Sequence, residues 1–308
     1  MKVLVYGSLN IDYVYSVEHF VRAGETISSD GRNIFCGGKG LNQAIAFSRY
    51  GIETFMAGAV GKADGKVLTD ALKNANVNTD YVVSKDMPSG HTVIQNTPDG
   101  ENCIILFGGA NQSITKEDVD LTIEGFDSGD YLILQNEINL LDYIIERAHE
   151  KKMTVVLNPS PMNGKILKLP LDKVDIFVLN EIEACGILGL DETDLAKADG
   201  ENLLSRLKDK FPNKKILLTL GEAGSLYSNG ENTYLHGIYK VKALDTTGAG
   251  DTFMGYFVGE IISGKDASCA LKTASAASAI AVGKNGASVS IPYLEEVKKF
   301  LGNVNDRL

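Results

Sequence analysis

From residue 54 onward, short apolar runs with the length of buried strands alternate with longer segments of helical period. The strand patterns are Thr54–Ala59, Tyr81–Ser84, Tyr131–Gln135, Thr154–Asn158, Ile176–Leu179 and Ile216–Thr219, and Lys2–Tyr6 supplies an earlier one. Helical patterns lie at Gly65–Ala75, Leu140–Lys151, from Glu181 and over Gly200–Phe211. Strands that are apolar on both faces must be covered on both faces, and helices between them supply that cover. The expected fold class is therefore α/β: a doubly wound, mostly parallel sheet with helices on both faces. In such sheets ligands sit at the carboxyl ends of the strands.

Two regions break the alternation. Asn10–Val17 alternates in polarity like a strand with one wet face, and Thr26–Phe35 is expected to pair with it. Thr92–Asn96 and Cys103–Phe107 flank Thr97-Pro98-Asp99-Gly100-Glu101, a hairpin signal. Together they predict a small β lid drawn from about residues 10–36 and 88–108 of a single domain spanning 1–308. Asn10 and Asp12 lie two apart, so they share a side of their strand and could grip hydroxyls; an ordinary Asx turn is the plainer alternative.

Asp245-Thr246-Thr247-Gly248-Ala249-Gly250-Asp251-Thr252-Phe253 follows a strand-like run, Tyr239–Leu244, and opens an apolar helix, Phe253–Ile262. A glycine-rich turn at a helix N-terminus presents unpaired amides at the positive end of the dipole, which suits an anion. A carboxylate at Asp251 could then take a proton from a hydroxyl attacking phosphorus. A capped helix with a dipole-stabilising Asp is the bland alternative.

Cys36-Gly37-Gly38-Lys39-Gly40-Leu41-Asn42-Gln43-Ala44 likewise leads into a helix that Gly51 closes. It is not a phosphate-binding Gly-x-x-x-x-Gly-Lys-Ser/Thr loop. The nearest match to that pattern, Gly259–Asp266, ends in Asp and falls at a helix end. No Gly-x-Gly-x-x-Gly follows a strand, which argues against a dinucleotide-binding dehydrogenase. Glu137, Asn158, Asn180, Glu183, Thr219, Gly221 and Gly224 stand at or just beyond strand ends, where they could line one crevice. The chain closes with a small-residue helix, Asp266–Val282, a loop over Gly283–Ser288 and a final helix from Tyr293.

A formal net charge of −10 with scattered Lys and Arg leaves no basic stripe for nucleic acid. Cys36, Cys103, Cys185 and Cys269 are far apart and are expected to be reduced core thiols. No run approaches the roughly 20 apolar residues of a membrane span, and the N-terminus turns polar too soon for a signal peptide. A cytoplasmic soluble protein is the expectation.

With Gly7-Ser8-Leu9-Asn10-Ile11-Asp12, the Gly37–Ala44 stretch and the Asp245–Phe253 stretch in hand, the chain resembles the ribokinase branch of the PfkB sugar-kinase family nearly end to end. The resemblance implies transfer of the ATP γ-phosphate to a sugar hydroxymethyl group, with Mg²⁺ and often K⁺ stimulation, by a homodimer formed through the lid. It assigns Asp251 as base and the amides of Gly248, Ala249 and Gly250 as anion hole. Asn10, Asp12, Gly38, Lys39, Gly40, Asn42 and Glu137 would bind sugar beside Asp251. Asn180, Thr219, Gly221, Gly224 and Gly250 would line the ATP site, and Glu183 would order Mg²⁺ waters. Asp245, Thr247, Ala281, Lys284, Gly286 and Ser290 would form the K⁺ loop, mainly through backbone oxygens. D-ribose is the favoured acceptor; fructose, a deoxyribose or a nucleoside would use much of the same scaffold. A catalytically silent sugar- or nucleotide-binding regulator is the competing class, and it has no need to keep Asp251 with its glycines.

Overall fold

A computed structural model describes residues 1–191 and 199–305; the last three residues of the expected 1–308 unit lie outside the described residues. The main sheet has nine strands: β1 (Val3–Tyr6), β4 (Thr54–Gly61), β5 (Asn78–Lys85), β8 (Tyr131–Gln135), β9 (Thr154–Asn158), β10 (Ile176–Asn180), β11 (Lys215–Thr219), β12 (Ser225–Ser228) and β13 (Thr233–His236). Their order is β13-β12-β11-β10-β9-β8-β1-β4-β5, parallel from β5 to β11 and antiparallel for the last two.

Helices cover both faces, as the doubly apolar strands require. On one face α1 (Lys39–Tyr50), α2 (Lys66–Asn74), α7 (Ala249–Ile262), α8 (Ala267–Val282) and α10 (Leu294–Asn305) pack over Val3, Val5, Ile133 and Val156. On the other α3 (Lys116–Glu124), α4 (Leu141–Glu150), α5 (Glu181–Leu188) and α6 (Gly200–Lys210) pack over Leu4, Tyr6, Leu132 and Leu134. A four-residue helix, α9 (Ala287–Ser290), sits beside the start of α7. Among the described residues no helix is long and apolar enough to cross a membrane.

The lid is a separate four-stranded sheet, ordered β3-β2-β6-β7: β2 (Asn10–Ser16), β3 (Gly31–Gly37), β6 (Gly90–Asn96) and β7 (Asn102–Phe107). Its hairpin turns where the sequence predicts, with Thr97 donating to Glu101 and Gly100 in the left-handed region at φ 89°.

Four expectations need correction. The ladder of β3 begins at Gly31 rather than Thr26, because the bond from Asp30 to Ser16 already closes it. Tyr239–Leu244 forms no strand: β13 is the sheet edge, and the run beyond it is held by Tyr239, which packs edge-on against Phe300, and by Leu244 and Asp245, both donating to the Val282 carbonyl. The loop expected over Gly283–Ser288 gives way to α9 from Ala287. No disulfide joins the four cysteines, but only Cys185 is buried, and Cys103 is exposed on β7. Helix α3 carries a signal of its own, the reciprocal capping box of Thr115 and Asp118.

Candidate active site

Helices α1 and α7 begin side by side at the carboxyl end of the main sheet. Gly248 opens α7 at φ 75°, and the Thr252 hydroxyl donates back to its carbonyl at 2.9 Å. A Cβ added at Gly250 would meet nothing within 4 Å, so this turn is open on its outer side. The amide of Ala249 donates to the Thr246 carbonyl at 3.2 Å. That removes it from the expected set of three anion-binding amides. Among the described residues, the amides of Gly248, Gly250 and Asp251 donate to no backbone carbonyl, which leaves three donors at the positive end of a 14-residue helix.

Asp251 is 8% exposed, and α1 grips it from across the cleft. Asn42 donates to its Oδ2 at 3.0 Å and Gln43 to its Oδ1 at 2.9 Å. The start of α1 can lie this close because residue 40 is Gly: a Cβ there would fall 2.6 Å from the carbonyl carbon of Gly7 and the amide nitrogen of Ser8. Lys39, the first residue of α1, faces the same space. Burial pulls the pKa of its ammonium down, but Asp251, Glu137 and Glu183 together more than offset this, so it stands above the usual lysine value.

The lid supplies the opposite wall from the first turns of β2. Asn10 is buried, and its Oδ1 accepts from Asn111 at 2.7 Å. Asp12 accepts from the Thr92 hydroxyl at 2.6 Å across the ladder to β6. Burial, with a smaller push from Glu137, raises the Asp12 carboxyl to about 6 despite that bond. Glu137, just beyond β8, accepts from the Ser8 hydroxyl and from the Lys39 amide; burial holds its pKa above the ordinary carboxylate value. Asn42 Oδ1 is buried with no partner. It is an acceptor waiting for a donor, which a hydroxyl supplies.

A cavity of about 240 Å³ continues from this point under the ends of β9, β10 and β11. Asn158, Ser160, Asn180, Glu183, Thr219, Thr246, Gly248, Gly250 and Asp251 line it with Lys39. Gly221 and Gly224 stay outside its wall, in the turn after β11. Asn180 and Glu183 form a capping box that starts α5, and Asn158 donates to Glu183 at 3.2 Å. Burial raises the Glu183 pKa. Among the described residues no three His, Cys, Asp or Glu side chains cluster as a metal cage. Two buried carboxylates, Glu183 and Asp251, face this cavity, too few for an all-protein cage but suited to a divalent ion held chiefly by phosphate oxygens and water.

Of the residues expected to hold a monovalent cation, Asp245, Thr247 and Gly286 are joined by hydrogen bonds. Asp245 accepts from the amides of Thr247 at 2.9 Å and Gly286 at 2.8 Å. Burial works against its charge, yet these bonds hold its carboxyl below the usual range. The Ala281 carbonyl accepts from the Lys284 amide and the Ser290 hydroxyl donates to Ala287. One carboxylate among carbonyl oxygens is a hard donor set suited to such an ion. The Lys284 ammonium turns away, pairing with Glu296 at 3.1 Å.

Gln43, Ser8, Thr92 and Asn111 hold the site together without having been singled out as site residues. Gln43 and Ser8 had a signal, their places in the Gly37–Ala44 and Gly7–Asp12 stretches; Thr92 and Asn111 had none.

The pfkB family carbohydrate kinase profile matches residues 1–294. A ribokinase of Staphylococcus aureus is 34% identical over 306 residues, covering 97% of this chain and 99% of that protein. A deoxyribokinase of Salmonella typhi is 30% identical over 309 residues, covering 98% and 99%. A structure of Arabidopsis thaliana ribokinase complexed with ribose and ATP superposes with a TM-score of 0.82 at 29% identity, covering 97% and 98% of the two chains. The chain belongs to the pfkB family of carbohydrate kinases, phosphotransferases with an alcohol group as acceptor.

Proposed function

We propose that this kinase transfers the γ-phosphate of ATP to the hydroxymethyl group of D-ribose, giving ribose 5-phosphate. The observation that carries the reading is the grip of Asn42 and Gln43 on Asp251, which holds its carboxylate between the hydroxyl-binding lid and the free amides of Gly248 and Gly250. Sugar lies between β2 and α1, its hydroxyls met by Asn10, Asp12, Asn42, Glu137 and the backbone at Gly38–Gly40. ATP lies along the cavity past Asn180 and Thr219, with Gly221 and Gly224 beside it. Asp251 receives the hydroxymethyl proton as that oxygen bonds to the γ-phosphorus; the bond from phosphorus to the bridging oxygen breaks, and ADP leaves with the electron pair. The amides of Gly248 and Gly250, with Lys39, hold the charge of the migrating group, where positioning and electrostatics supply most of the acceleration.

Glu183 would hold Mg²⁺ through water, and the ion would supply neutralisation of phosphate charge. Asp245, Thr247, Ala281, Lys284, Gly286 and Ser290 would hold K⁺, which would supply stiffness to the turn before α7. The outer face of the lid pairs with a second copy of the chain, because all six residues of β7, including Ile104, Ile105, Leu106 and Phe107, are exposed in one copy.

Ribose is favoured over a nucleoside because the side chains of the lid and α1 that face the sugar, Asn10, Asp12 and Asn42, are amide and carboxylate groups suited to hydroxyls. Rates on ribose, 2-deoxyribose, fructose and adenosine in one ADP-release assay test the acceptor, and fastest turnover of any other than ribose overturns it. Asp251→Asn tests the base: kcat falls by about 10²–10⁴-fold, and a folded variant working at the parental rate removes Asp251 from that role.

A further inference from the structure

We infer that Gln43 and Gln135 form an amide relay that aims Asp251, Gln43 as a positioning residue and Gln135 as the group that sets its orientation. The inference rests on Asp251 being the base. A carboxylate only accepts hydrogen bonds, so Gln43 must turn its NH₂ toward Asp251 Oδ1, 2.9 Å away. Its Oε1 then faces the sheet, where the Gln135 Nε2 donates to it at 2.7 Å. The orientation of the second amide thus follows from that of the first.

Gln135 meets this requirement at visible cost. It is the last residue of β8 and is fully buried, with its own Oε1 left without a partner. That oxygen lies against Gly7, where an added Cβ would come within 2.0 Å of it. An apolar side chain would fill this place without stranding a buried acceptor, so packing alone does not account for a glutamine. The relay does: the Gln135 donor fixes the far end of the Gln43 amide, so that its NH₂ is held in line with Asp251 Oδ1 rather than left to swing about that single bond. Gln43 Nε2 also lies 3.5 Å from Asn158 Oδ1, but only Gln135 constrains the oxygen end. Each oxygen of Asp251 keeps a second lone pair beside the amide bond it accepts, so the clamp does not block proton uptake.

Gln43→Met, Gln135→Met and the double variant test the relay, since methionine keeps the length and introduces no charge. The expected kcat losses are roughly 10²-fold for Gln43→Met and about 10-fold for Gln135→Met, the scale of a small misplacement of a reacting group. The KM values for sugar and ATP stay within about 3-fold, because the lost interaction serves the transition state. The double variant loses no more than Gln43→Met alone, since Gln135 acts only through Gln43. Parental kcat in Gln135→Met, losses that multiply in the double variant, or a raised sugar KM at unchanged kcat would each overturn the relay. Melting curves show that each variant is folded, and Gln135→Met alone decides the matter if Gln43→Met does not fold. If Asp251→Asn is inactive while both methionine variants are fully active, the relay fails and the base assignment stands; an active Asp251→Asn fails the assignment itself.

Discussion

The two sheets meet at one cleft but are built differently. All four residues of β1 are buried, and β8 and β10 are buried along nearly their whole length, because helices cover both faces. In the lid, β2 is buried only at its first two residues, and β7 is exposed throughout. Asp251, proposed as the base, and the amide donors therefore stand on helix starts anchored to the main sheet, whereas Asn10 and Asp12 stand where the lid sheet leaves it. On the proposed reading the fixed half carries the chemistry, and the half with few buried contacts would close over the sugar and exclude water, the competing nucleophile. Mutations on the fixed side are expected to act on kcat, and those on the lid side on sugar KM.

The strongest break of that division is at Gly40, where the fixed half has no slack. Gly40→Ala places a methyl against the backbone of Gly7 and Ser8, so α1 must shift and take Asn42 and Gln43 with it. Expected are about 10²-fold lower kcat and a loss of roughly 1–3 kcal/mol in stability, read by steady-state kinetics and urea unfolding. Parental kcat with lowered stability would separate the start of α1 from the aim of Asp251.

Asp12→Asn probes the lid half. Losing a charged partner for a hydroxyl raises sugar KM by roughly 10–100-fold, the equivalent of about 1.5–3 kcal/mol, with kcat little changed. The same variant is expected to gain stability at neutral pH. The folded carboxyl titrates near 6 against an unfolded value near 3.8, so the folded state binds the extra proton and ionisation costs stability as pH rises between those values. Asn removes a penalty on the order of 1–3 kcal/mol above pH 6, and the gain vanishes below about pH 4. Melting temperatures of the two proteins across pH 4–8 check the sign; curves that stay parallel would deny the raised value. In the parent, sugar KM should climb as pH falls through 6.

The same contrast governs what the sequence makes legible. Val3–Tyr6 and Tyr131–Gln135 are apolar because both faces are covered, so the main sheet is readable from composition along the chain. The short runs Ser225–Ser228 and Thr233–His236 are cut by Gly224 and Gly230, and only the pairing of the first with β11 and of the second with the first shows them to be strands. Tyr239–Leu244 misleads in the opposite direction: it has a strand's composition but leaves the sheet after β13 and pairs with none of the described strands. Asp251 is legible because its glycines are adjacent in sequence. The hold on it by Gln43, 208 residues away, is a tertiary fact that no local spacing encodes.

A smaller effect concerns assembly. Ile105→Lys puts a charge at the centre of the exposed β7, where Ile105 is 62% accessible in a single copy. Sedimentation should show a dimer in the parent and a monomer in the variant, with kcat changed less than 10-fold, since the base and amides lie on the other sheet. A variant that stays dimeric would place the partner's contact elsewhere than the lid.

The smallest effect is expected at Lys284, although it belongs to the loop assigned to K⁺. Its ammonium meets Glu296 at a half-exposed site, 44% and 47% accessible, where such pairs contribute about 0–1 kcal/mol. Only its backbone carbonyl is asked to face the cation, and a side-chain truncation leaves that in place. Lys284→Ala should therefore shift unfolding by under about 1 kcal/mol and leave the K⁺ concentration for half-maximal activation unchanged. Asp245→Asn gives the contrast, because it removes a charge from the donor set and weakens the acceptor of the Thr247 and Gly286 amides. Equal K⁺ responses in the two variants would mean that the ion, if it acts, binds away from this loop.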